Sequence, residues 1–149
     1  MQASINKYIK GFKKLRIDHS HGVAPHKPIL LLSVLQSVQN DLIKNNCVYI
    51  TPELVALFKS NWSLLVTTNH DCRISYPFYY LKSENFWRLV PKFGFENLNQ
   101  MGSIMKSFHN LNAAVECAVL EEELFRIMQD SPSNDMLVQF LLEEYFPNT

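Results

Sequence analysis

The residues best suited to chemistry in this chain are cations and rings at the junctions of loops and helices. His26 and Lys27 stand immediately before Pro28, which suits the first position of a helix. A helix start presents free N–H groups, so a lysine and an imidazole beside it make a phosphate site. Arg16 and His19 lead into the loop that ends there, "RIDHSHGVAPHKP". Arg73 occupies a second polar loop, just ahead of Ser75, Tyr76, Pro77 and Tyr80. If the two loops, 16–27 and 67–77, lie side by side, they build a basic surface with aromatic residues set into it. Such a surface suits a polyanion, and duplex DNA is a natural ligand for it.

Other chemistries find little to work with. Metal-dependent phosphodiester cleavage needs carboxylates or His/Asn ligands at tight spacing, and the acids of the basic region are scattered. There is no HExxH, no GxSxG and no Walker loop. His19, His21 and His26, taken with Cys72 and Cys117, match no usual zinc spacing, so neither metal nor cofactor is expected. Glu121, Glu122 and Glu123 open a helix, where acids suit the dipole. The expectation is a binding domain with no catalytic residue.

The formal net charge of zero hides an asymmetry. Residues 1–106 carry 13 Lys+Arg against 6 Asp+Glu, and residues 107–149 carry one Arg against 8 acids. That split suggests one surface for a polyanion and another facing away from it. The 3 cysteines are far apart and odd in number, which fits reduced thiols in a cytoplasm. The apolar run "PILLLSVL" is too short to cross a bilayer, and no apolar segment follows the Lys-rich start. A length of 149 residues with 47% hydrophobic content fits one domain spanning 1–149.

The elements that must position these groups follow from periodicity. Ile5, Tyr8, Ile9, Phe12 and Leu15 repeat at helical spacing within 3–16. A second helix, 28–45, is apolar nearly all round in its first turns and belongs at the centre. Residues 47–50 read as a short strand, and Thr51-Pro52 as the cap and first residue of a helix reaching Val66. Residues 78–82 and 86–90 read as two strands joined by a Ser-Glu-Asn turn, with Pro77 breaking the first so as to hold Tyr76 and its own ring at the surface. A mixed stretch around Gly94 and Gly102 holds a short helix. A third strand at 114–120 and helices at 121–130 and 134–146 complete an α+β fold, mostly helical with a small antiparallel sheet.

"LRIDHSHGVAPHKPILLLSVL" followed by "SYPFYYLKSENFWRLVP" resembles the N-terminal, sulfur-binding domain of bacterial HNH-type restriction endonucleases. The resemblance covers nearly the whole chain. It implies a partner: double-stranded DNA carrying phosphorothioate linkages, in which sulfur replaces a non-bridging phosphate oxygen. It implies Tyr76 and Pro77 as walls of a sulfur pocket, with Tyr80 as a further lining residue where the family often has a small one. Ser75 belongs to the same segment. His26 and Lys27 would contact the backbone near the modified phosphate, and Arg73 a phosphate or base edge; Arg16 and His19 join the candidate site through the charge of their loop alone. In that family a separate C-terminal HNH domain cuts. No HNH signature occurs here, so the implied role is the targeting module of a modification-dependent restriction system, with a nuclease domain possible further along the native protein. Two alternatives are sulfur-independent DNA binding and protein interaction through the acidic end, 121–146.

Overall fold

In the computed structural model, which describes residues 2–148, the centre is a helix with no polar face. Helix α2 (His26–Gln39) buries Ile29, Leu30, Leu31, Leu32, Val34 and Leu35 on every side. Its two serines satisfy themselves: Ser33 Oγ donates to the Ile29 carbonyl and Ser37 Oγ to that of Ser33, both at 2.8 Å. Helices α1 (Gln2–Lys13), α3 (Pro52–Leu65), α6 (Glu122–Gln129) and α7 (Ser131–Tyr145) surround it, each laying an apolar stripe inward. α3 starts as expected: Thr51 accepts from the Leu54 N–H at 3.1 Å and Pro52 takes the first position.

The sheet is small and antiparallel, in the order β1-β3-β2. β3 (Val115–Leu120) is central, with β1 (Cys47–Val48) and β2 (Trp87–Pro91) on its two sides. Trp87 pairs with Leu120 and Leu89 with Ala118, until the register slips at Val90/Pro91. The fold is thus α+β and mostly helical, as the sequence implies.

The segment at 75–80 is a correction. It is a helix, α4 (Ser75–Tyr80), continued by a 3₁₀ turn at Leu81–Ser83. There is no 78–82 strand and no local hairpin: β2 pairs with β3, far along the chain. Pro77 is tolerated because it is the third residue of α4, where an N–H has no partner within the helix. Instead of standing at the surface, Pro77 is buried. Below it Phe78 meets Trp87 edge-on at 5.2 Å, and the Trp87 indole N–H donates to the Phe78 carbonyl at 2.9 Å. The Tyr79 hydroxyl donates to the Leu98 carbonyl at 2.9 Å and accepts from the Gly102 N–H at 3.1 Å. These bonds fix α4 rigidly, and with it the direction of Tyr76.

The charge halves are also less separate than expected. Lys7 of α1 pairs with Glu123 of α6 at 2.8 Å, and Ser4 and Tyr8 donate to Glu123 and Glu121. The Lys7 hydrogen bond, with those from Ser4 and Tyr8, holds the Glu123 carboxyl down at about 2. Part of the acidic run therefore anchors the basic first helix. The short helix α5 (Phe108–Ala114) is capped by Ser107, which accepts from the Asn110 N–H at 3.3 Å.

Candidate nucleic-acid interface

The two polar loops do lie together. The His26 ring Nε2 sits 2.7 Å from the Asp71 carbonyl oxygen. A carbonyl only accepts, so Nε2 carries the proton and Nδ1 of the neutral ring carries a lone pair. His26 is 8% exposed, and its Nδ1 is buried without a partner. Burial, opposed mainly by the bond to Asp71, lowers its pKa and keeps the ring neutral near pH 7. A buried ring nitrogen with nothing to bond is costly, and such an atom marks a place for a ligand.

Rings build the wall behind it. Trp62 of α3 lies 4.8 Å from the His26 ring and Tyr76 5.0 Å away on α4, while His70 meets it edge-on at 5.8 Å. Tyr80 stacks on Tyr76 at 5.0 Å. The Lys106 ammonium stands 5.4 Å from the Tyr76 ring centre, and the Ser75 hydroxyl donates to the Lys106 carbonyl.

Lys27 faces the same way. Only 6% exposed, it donates from Nζ to the Arg16 carbonyl at 2.7 Å. Burial lowers its pKa. That bond uses one of three N–H donors. Arg16, Ile17, Ala24, His26, Lys27 and Tyr76, with Asp18, enclose a cleft of about 10 Å³, room for about one water. Its lining mixes apolar groups (Ile17, Ala24 and the Tyr76 ring) with cations and a donor-bearing ring (Arg16, Lys27 and His26). Asp18 spends its carboxylate on Ser20, accepting from the backbone N–H at 2.9 Å and the hydroxyl at 3.0 Å.

The expected residues therefore divide. Arg16, His26, Lys27 and Tyr76 converge on the cleft. Tyr80 is half-buried behind Tyr76, stacked on it and edge-on to Tyr79 at 4.9 Å, and Pro77 is buried in the first turn of α4; neither lines the cleft. His19 is exposed on the loop outside it. Arg73 and Ser75 line a larger neighbouring groove, where the Arg73 guanidinium lies 3.7 Å from Asp71. Sequence reasoning missed Trp62, His70 and Lys106. Trp62 belongs to the apolar stripe of α3 and gave no sign of facing a histidine. Lys106 lies in an irregular stretch, and nothing local links it to Tyr76.

No protein-family model matches the chain, and no curated protein matches it. Among the described residues no helix is long and apolar enough to cross a membrane, and no group of three or more His, Cys, Asp or Glu side chains is placed to hold a metal ion.

Proposed function

We propose that this chain binds double-stranded DNA at a phosphorothioate linkage and serves as the targeting module of a modification-dependent restriction system. The supporting observation is the cleft itself: a histidine with a buried, unpartnered ring nitrogen shares a small lining with Arg16, Lys27, three apolar groups and Asp18, whose carboxylate is held by Ser20. A phosphorothioate matches that mixture. Its oxygens take the charge-assisted hydrogen bonds from Lys27, Arg16 and protonated His26. Its sulfur is larger, more polarizable and less strongly hydrated than oxygen, and it lies against Tyr76, Ile17 and Ala24. The exposed loop 18–23 is the part that yields to admit it. Oxygen placed against the apolar groups loses water without gaining a hydrogen bond, at a cost of about 1–3 kcal/mol on mutational scales, or about 5- to 150-fold in affinity. The rim cations supply salt-sensitive affinity that does not depend on sulfur.

Two duplexes differing only in one Rp phosphorothioate test the reading. Tighter binding of the sulfur duplex by at least about fivefold is expected. Equal affinity sinks sulfur recognition and leaves general DNA binding. No binding to either at low salt favours protein interaction through the acidic helices.

A further inference from the structure

Beside the cleft lies a groove with a chemistry of its own. Its volume is about 780 Å³, within the range of about 300–1,000 Å³ usual for ligand pockets. Val55 of α3, Ile74, Ile104 and Phe108 give it an apolar floor. Phe108 is 45% exposed and Ile104 52% exposed, so a ring face and a branched side chain stand open to an incoming ligand. Lys59, Arg73 and Lys106 add three cations; no carboxylate lines the groove, and Asp71, 86% exposed, stands 3.7 Å from the Arg73 guanidinium. A simple anion satisfies only the cations and a hydrocarbon only the floor. A flat apolar body tethered to negative charge satisfies both, and a nucleobase with its phosphate is such a body.

The groove and the cleft are also adjacent. Ser75, the first residue of α4, lines the groove, and Tyr76, the second, lines the cleft. Lys106 lines the groove while its ammonium lies over the Tyr76 ring. We infer that the groove takes one unstacked nucleotide of a DNA strand whose neighbouring phosphate occupies the cleft. The base lies on Phe108 and Ile104, and its phosphate lies between Arg73 and Lys59. This inference rests on the cleft being a DNA-phosphate site, and its test separates the two.

The probe is 2-aminopurine, which brightens when it leaves the base stack. Placed next to the phosphorothioate of a duplex, it is expected to brighten as the protein saturates it. Phe108→Ala abolishes the brightening and weakens binding by about 5- to 150-fold, the range for losing one stacked base. It leaves the ratio of sulfur to oxygen affinities unchanged. Phe108→Tyr keeps the ring and retains both signals, which separates stacking from misfolding. A saturated duplex that stays dark, or one equally bright with Phe108→Ala, overturns the groove assignment. If the paired duplexes show no sulfur preference, sulfur recognition at the cleft fails, and a single strand of ordinary phosphates carrying 2-aminopurine decides the groove alone. Binding of that strand weakened by Phe108→Ala sustains the assignment; no binding, or binding indifferent to the substitution, overturns it.

Discussion

Replacing His26 with glutamine separates the two jobs of its ring. Glutamine retains an N–H donor for the Asp71 carbonyl, now met by Nε2 at 2.7 Å, and removes Nδ1. In the free protein Nδ1 is buried without a partner and burial keeps the ring neutral near pH 7. An anionic oxygen cannot share that position with a lone pair, so a DNA phosphate bound there as proposed would draw a proton onto Nδ1. Affinity therefore rises by up to about tenfold per pH unit as pH falls, between the pKa of the bound ring and that of the free one. Fluorescence anisotropy with the phosphorothioate duplex, from about pH 8 to about pH 6 at constant salt, is expected to show up to about a 100-fold gain. His26→Gln flattens the profile and costs about 1.5–3 kcal/mol at the acid end, the worth of a hydrogen bond to a charged group. A double His19→Gln, His21→Gln variant keeps the slope. A flat wild-type profile, or an equal slope in His26→Gln, refutes the reasoning. Without DNA the sign reverses. The folded pKa of His26 lies below its ordinary 6.5, so its stability contribution is present above 6.5 and is lost as pH falls through the folded pKa. The apo protein melts earlier at about pH 5.5 than at about pH 7.5, and His26→Gln blunts that difference.

Tyr76→Ala should cut the preference for sulfur more than the total affinity, whereas Pro77→Ala, at a buried position away from the cleft, should leave most of the preference; competition between the paired duplexes measures both. Lys27→Met keeps the stem but removes a desolvated ammonium, so melting should stay level or rise while DNA affinity falls and the salt slope drops by about one. Trp87→Phe strands the Phe78 carbonyl and leaves a void in the core, at a cost of about 1–3 kcal/mol in denaturant titration. Modified plasmid incubated with the chain and Mg²⁺ or Mn²⁺ should acquire no nicks on a gel.

Local pattern revealed the helices because their stripes and caps are local facts: the Ile5-Tyr8-Phe12 stripe and the Thr51-Pro52 start stand where periodicity puts them, and α2 is apolar nearly all round as expected, although it runs from His26 to Gln39 and not over 28–45. It misread the segment 75–80 because the rings of 78–80 favour a strand by propensity and Pro77 reads as a break ahead of it. The helix prevails through contacts with distant partners, Trp87, Leu98 and Lys106. Strand pairing failed for the same reason, since β2 finds β3 across an intervening helix. In the candidate site, the four cleft residues announced themselves as cations and rings at loop–helix junctions. The stack that orients them did not, because Trp62 and Lys106 meet His26 and Tyr76 only after the chain has folded.

The sheet bears on how the protein behaves when crowded. Both of its outer strands are poor templates. β1 offers two residues, and β2 ends at Pro91, which has no N–H to give, just past a slip in register. Arg88 within β2 is exposed and adds a charge to that strand. Another chain therefore finds no flat run of free backbone groups to extend, and edge-to-edge aggregation is blocked on both sides.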